Sequence, residues 1–248
     1  MTLLIGTTQG AAAHIISDGA SYDATGKVTA IESKVAVFPE WNAAISYEGW
    51  THPEHIAIMA RGSGFTSGRD LVRGLGELAF DVLDWQLRHE PNAPSPELLL
   101  CAAVFAPEVG PSVWVAHSGG QAVRQGLAPG QPRHVQAYSN FGAINEALGR
   151  DADLRDARSF DLIRDGRIVA EAARKSEWNE GDEGAGVGGF VELTTVSAGG
   201  VESRVFKRWS DKVWKQIDPA GCHRRGVSAR RPDPGRSGAP VVGCRQNG

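Results

Sequence analysis

Of the 248 residues, 41% are hydrophobic and 22% are charged, which suffices for one packed domain or two small ones. The formal net charge is −3, but residues 220–248 carry six arginines against Asp233 alone, so this tail is +5 and the rest −8, and no strong overall field marks a nucleic-acid binder. No run approaches the roughly 18 apolar residues of a membrane span, and no basic stretch opens a secretory signal. Cys101, Cys222 and Cys244 are too few and scattered for a disulfide framework, so a cytoplasmic chain is expected.

Residues 3–8 and 11–17 read as strands joined at Gln9-Gly10, a tight-turn signal. A polar stretch from Asp23 to Lys27 holds a second turn, and residues 28–31, 34–38 and 43–47 are short, β-branched or apolar. These five candidates predict one antiparallel sheet that begins at the N-terminus. Thr51-His52-Pro53-Glu54 predicts a helix start with Thr51 as N-cap, giving a helix over 52–61. A second helix is predicted over 68–89, where Leu71, Leu75, Leu78, Val82 and Trp85 share one side.

Residues 94–96 close that unit, and strands follow at 97–105 and 112–116, with Ser118-Gly119-Gly120 turning into a further short strand. A second helical pair is predicted at 142–150 and 157–176, then strands at 188–196 and 201–208. Strands, two helices, strands, two helices and strands in that order predict an α+β fold. Its form is a four-layer αββα sandwich of two antiparallel sheets with helices outside both. Residues 2–218 form this domain. The Gly-, Pro- and Arg-rich segment 219–248 reads as a disordered tail or, equally, as an extension translated out of frame.

Thr2 follows the initiator methionine and is small enough for that methionine to be removed. An N-terminal threonine holds a hydroxyl that attacks a carbonyl and an α-amine, with a reference pKa of about 7.7–8.0, that accepts the proton. Asp18 lies 16 residues after Thr2, at the end of the second strand, and Lys34 lies 16 residues after Asp18, at the start of a later one. A lysine ammonium beside the hydroxyl favours its deprotonated form, and a carboxylate holds that lysine charged and oriented.

Thr2, Asp18 and Lys34 resemble, in spacing, the threonine, aspartate and lysine of proteasome β subunits and of the bacterial HslV peptidase, which are N-terminal nucleophile hydrolases. Ser17-Asp18-Gly19 and Lys34-Val35 agree with that pattern. Ala44-Ile45-Ser46-Tyr47-Glu48-Gly49 looks like the family's Ala-Gly-x-x-Gly, in which a backbone N–H forms the oxyanion hole, a donor typically worth roughly 10²–10³ in rate. The resemblance implies oxyanion or substrate-binding roles for Ser46, standing where the first glycine would be, and for Gly49. Trp50 would line the adjoining pocket. Asn140, in Ala137-Tyr138-Ser139-Asn140-Phe141-Gly142, stands for the serine that assists the threonine. Val187, in Gly186-Val187-Gly188-Gly189, replaces a second serine, and Asp182 and Glu183 are out of register with the family's aspartate.

The implied activity is hydrolysis of a peptide or small amide by a homo-oligomer, with an unfoldase as possible partner and no cofactor. An inert structural or assembly protein on the same sandwich is the alternative. Alpha-type proteasome subunits take that course, but they carry an extension that does not precede Thr2 here.

Other motifs argue for less. Ala116-His117-Ser118-Gly119-Gly120 lacks the first glycine of a serine-hydrolase elbow and precedes a strand rather than a helix. His52-Pro53-Glu54-His55 has metal-like spacing without a third ligand, so no metal is expected. The glycines of 181–189 do not link a strand to a helix as a phosphate loop does. The seven tryptophans read as core or interface, and the basic tail as a solvated segment.

Overall fold

The computed structural model describes residues 2–23, 25–90, 97–119, 128–176 and 186–217. The tail from residue 218, with Cys222 and Cys244, and also Pro94, Trp178, Asp182 and Glu183, lie outside the described residues. The elements run β1 (Leu4–Gln9), β2 (Ala12–Asp18), β3 (Ala20–Tyr22), β4 (Val28–Ile31), β5 (Val35–Phe38) and β6 (Ala43–Gly49). Next come α1 (Pro53–Gly62), α2 (Gly68–His89), β7 (Leu98–Ala106), β8 (Gly110–His117), β9 (Arg133–Val135) and β10 (Ala137–Ser139). The chain closes with α3 (Ile144–Leu148), α4 (Arg164–Lys175), β11 (Phe190–Ser197) and β12 (Gly200–Arg208).

Two five-stranded antiparallel sheets, in the orders β10-β1-β2-β11-β12 and β5-β6-β7-β8-β9, face each other. Their inner faces meet through Leu4, Ala13, Ile15, Ala44, Leu99, Cys101 and Val113. Helices α1 and α2 cover the outer face of the second sheet through Ile56, Leu71, Leu75, Leu78 and Val82. Helices α3 and α4 cover the first through Ile144, Val169, Ala170 and Ala173, against Leu3, Ile5, Ile16 and Val191. The molecule is the four-layer αββα sandwich. Strand β7 is apolar throughout because it is buried on both faces, with Leu98, Leu100 and Ala102 toward the helices and Leu99, Cys101 and Ala103 toward the other sheet. The sheets approach so closely at Gly6 that a Cβ there would lie 2.6 Å from Cys101 Sγ and 2.9 Å from Val113 Cγ1.

The five N-terminal strands do not form one sheet as expected. β1 and β2 belong to the first sheet, β5 and β6 to the second, and β3 and β4 form a separate hairpin between them. The hairpin turn is built on Asp23, whose Oδ1 accepts from the N–H of Thr25 and of Lys27. Its return leg brings Glu32 N–H to Gly19 O at 2.9 Å. The chain therefore crosses between sheets while staying beside the end of β2, and Lys34 enters next to Asp18.

Helix α2 keeps its predicted limits, with Ser67 Oγ accepting from Asp70 N–H at the N-cap. Helix α1 begins at Pro53, one residue later than expected. His52 is the N-cap, no side chain caps the helix, and the buried Thr51 Oγ1 has no partner. The helices expected at 142–150 and 157–176 are shorter, and the chain from Asp153 to Ile163 forms turns held by Asp153, Asp156 and Asp161 side chains. Strand β10, not foreseen, pairs with β1. Among the described residues no helix is long and apolar enough to cross a bilayer.

Candidate active site

Thr2 lies just ahead of β1, Asp18 ends β2, and Lys34 precedes β5 in the opposite sheet. Their side chains meet. Lys34 Nζ donates to Thr2 Oγ1 at 3.3 Å and to Asp18 Oδ1 at 3.0 Å. Asp18 is fully buried and Lys34 is 3% exposed, so the pair stands out of water and depends on complete hydrogen bonding. Asp18 has that. Oδ1 also accepts from Leu3 N–H at 3.0 Å, and Oδ2 accepts from Ala20 N–H at 3.2 Å and Gly188 N–H at 3.1 Å. Four donors match the lone-pair sites of one carboxylate. The ammonium is thus fixed by a rigid anion and turned toward the threonine hydroxyl.

The Gly188 donor is held from behind. Arg174, from α4, donates to Val187 O at 2.9 Å and pairs bidentately with Asp211 at 2.8 and 2.6 Å, while Asp211 Oδ2 accepts from Gly189 N–H at 2.7 Å. Both charges are about 5% exposed, and the guanidinium lies 4.7 Å from the centre of the Trp209 ring. This buried clamp fixes the 187–189 backbone and, through it, Asp18. Val187, where the resemblance has a serine, is fully buried among the residues under α4.

Asn140 joins the group differently from a serine beside the hydroxyl. Its Nδ2 donates to Thr2 O at 2.5 Å, and its Oδ1 accepts from Leu4 N–H at 3.0 Å. The side chain extends the β1 ladder beyond the end of β10 and fixes the backbone that carries Thr2.

Ser46 is fully buried within β6, paired with Val35 on one side and Cys101 on the other, and its Oγ has no partner. Past Ser46, β6 has no partner on the β5 side, so alternate backbone N–H groups of Tyr47, Glu48 and Gly49 are unclaimed by that strand. Gly49 is exposed, has φ 136°, and a Cβ there would lie 2.5 Å from Glu97 O, so only glycine ends the strand this way. The Trp50 indole N–H donates to Glu90 at the C-cap of α2 at 2.6 Å.

Residues with no role assigned from the sequence also support the site. Gly188 lay in the quoted Gly186-Val187-Gly188-Gly189 with no role, and Arg174 and Asp211 act over separations that no short motif spans. Glu48 lay in a quoted motif with no role. Burial pushes its carboxyl above the usual carboxylate range and Glu97 adds to this, while the Asn140 amide, the chain's N-terminal ammonium and the Lys34 charge oppose it.

No protein-family model matches the sequence, and no curated protein does. The structure is similar to that of Anbu (ancestral beta-subunit) from Yersinia bercovieri, with a TM-score of 0.57 over 83% of this chain and 87% of that one. The two are 8% identical, so the likeness is one of fold, a proteasome-like sandwich.

Proposed function

We propose that the chain is a threonine-type amide hydrolase, a peptidase, whose nucleophile is Thr2 once Met1 is removed. The observation that carries this is the buried Lys34 ammonium, 3.3 Å from Thr2 Oγ1 and fixed by Asp18. In the proposed reaction the freed α-amine takes the hydroxyl proton as Oγ1 attacks the amide carbonyl. Lys34 stabilises the developing alkoxide, and an N–H at the Gly49 end of β6 receives the oxyanion. The intermediate collapses, the α-ammonium returns its proton to the leaving amine, and an ester to Thr2 remains. Water, deprotonated by the same amine, hydrolyses the ester and restores the threonine. The working assembly in this reading is a homo-oligomer, which light scattering tests.

A non-catalytic scaffold is the second reading. It is favoured by Val187 being core and by Asn140 being committed to the backbone, which leaves no hydroxyl beside the nucleophile from either position. Turnover decides between them. Met1-processed protein should cleave members of a peptide-amide library, Thr2→Ala should abolish cleavage with the circular dichroism unchanged, and Lys34→Ala should come close to that. Asp18→Ala should leave a trace. Absence of turnover by processed protein across the library favours the scaffold.

A further inference from the structure

Of the four edge strands of the two large sheets, β10, β5 and β9 are three or four residues long, whereas β12 has nine. One side of β12 is hydrogen-bonded to β11, and among the described residues no strand pairs with its other side. Glu202, Ser203, Arg204 and Val205 are all exposed, although successive side chains point to opposite faces, which marks an edge open to solvent. A long edge of unpaired N–H and C=O groups is a template for another strand, and proteins normally shorten or cover it.

The turn before β12 fixes which groups face outward. Ala198 and Gly199 form a two-residue turn, so Ser197 and Gly200 are a hydrogen-bonded pair. Alternation from Gly200 turns the N–H and C=O groups of Glu202 and Arg204 toward β11 and those of Val201, Ser203 and Val205 outward. That register holds as far as the pair Glu192–Val205 and breaks only at Phe206, which bulges before Lys207 meets Val191. The side chains of Glu202 and Arg204 share the α3/α4 side of the sheet, since Arg204 stands opposite Leu193 there. Neither side chain has an ion pair or hydrogen bond among the described residues.

We infer that β12 pairs antiparallel with β12 of a second copy of this chain, about a two-fold axis at Ser203, joining two five-stranded sheets into one. The outward groups and the charges set that axis together. Outward groups coincide when Ser203 meets Ser203 and Val201 meets Val205 of the second copy, and each such pair exchanges both hydrogen bonds. Glu202 then lies directly opposite Arg204 of the second copy, in a non-hydrogen-bonded pair about 4.5 Å apart at Cα, and the two-fold axis makes that contact twice. Moving the axis by one residue keeps the outward groups matched but sets Glu202 against Glu202, or Arg204 against Arg204. Like charges directly opposite are destabilising, so the charges reject both neighbouring registers. The strand this edge complements carries Glu-x-Arg in the opposite direction, and β12 is such a strand. The pairing is independent of the chemistry proposed for Thr2.

Sedimentation velocity of the full-length protein provides the test. The parent chain should self-associate. Glu202→Arg and Arg204→Glu should each weaken that association at least tenfold, with the circular dichroism unchanged because both positions are exposed. An equimolar mixture of the two variants should restore it, since each copy then meets the opposite charge in the other. The double variant Glu202→Arg/Arg204→Glu should associate like the parent for the same reason. A monomeric parent, as expected if another segment or a foreign strand fills the edge, overturns the inference. So do single variants that associate like the parent, or a mixture or double variant that stays apart.

Discussion

Replacing Lys34 by methionine removes the ammonium that bridges Asp18 and Thr2 while keeping most of the side-chain volume. Asp18 is fully buried and retains three backbone N–H donors, so its charge is left underpaired but not bare. Breaking a buried pair costs roughly 3–5 kcal/mol, and those three donors put Lys34→Met at about 3 kcal/mol, the lower end. Asp18→Asn belongs at the upper end, because it strands an ammonium that is 3% exposed and turns an amide NH₂ toward backbone donors. At roughly 2–4 °C per kcal/mol for a domain of this size, the melting points should fall by roughly 6–12 °C for the lysine variant and further for the aspartate variant. The double variant should lose less than the sum of the singles by about 2 kcal/mol, the signature of a direct interaction. Thermal unfolding followed by far-UV circular dichroism on the three variants gives the cycle. Additive losses, or single variants within about 0.5 kcal/mol of the parent, the usual range for surface changes, would refute a buried pair at the base of the site.

Asn140→Ala removes the bonds to Thr2 O and Leu4 N–H and should cost about 2 kcal/mol by urea unfolding. The same substitution should lower kcat more than it raises KM, since it frees the nucleophile's backbone rather than a substrate contact. Burial lowers the pKa of His14 from 6.5, against a raising hydrogen bond from the Gln9 backbone. The unfolded chain therefore binds the proton first, and this share of stability is complete above about pH 6.5 and lost as pH falls through the depressed folded value. The melting point of His14→Gln should accordingly fall less steeply than that of the parent below pH 6.5. Burial pushes the Cys101 thiol up to about 12, so peptide mapping after iodoacetamide treatment should find it unmodified in native protein and alkylated in denaturant.

The sandwich was legible because each of its parts has a local signature. The leucine stripe of α2 fixes a helix wherever it packs, and β7 reads as a core strand from its unbroken apolar run. Sheet membership was not legible. Alternation in β1, β2, β5 and β6 shows that each strand has buried positions, but not which partner covers them, and the small β3–β4 hairpin decides that.

Thr2, Asp18 and Lys34 were within reach because a single strand hairpin and a single crossover join them. The task of Asn140 was not, because a side chain completing the β1 ladder over a separation of 138 residues leaves no mark on its neighbours. The Arg174–Asp211 clamp escaped for the same reason, since a charge on an amphipathic helix reads as solvated until its partner is seen.

Intact-mass analysis after incubation with a peptide epoxyketone tests the nucleophile most directly, since ring closure on that reagent needs both the threonine hydroxyl and its free α-amine. Protein that has lost Met1 should gain one mass equivalent, localised to Thr2 by fragmentation. Thr2→Ala protein and protein retaining Met1 should gain none. Processed protein that stays unlabelled, or an adduct that persists in Thr2→Ala, would contradict Thr2 as the reacting residue.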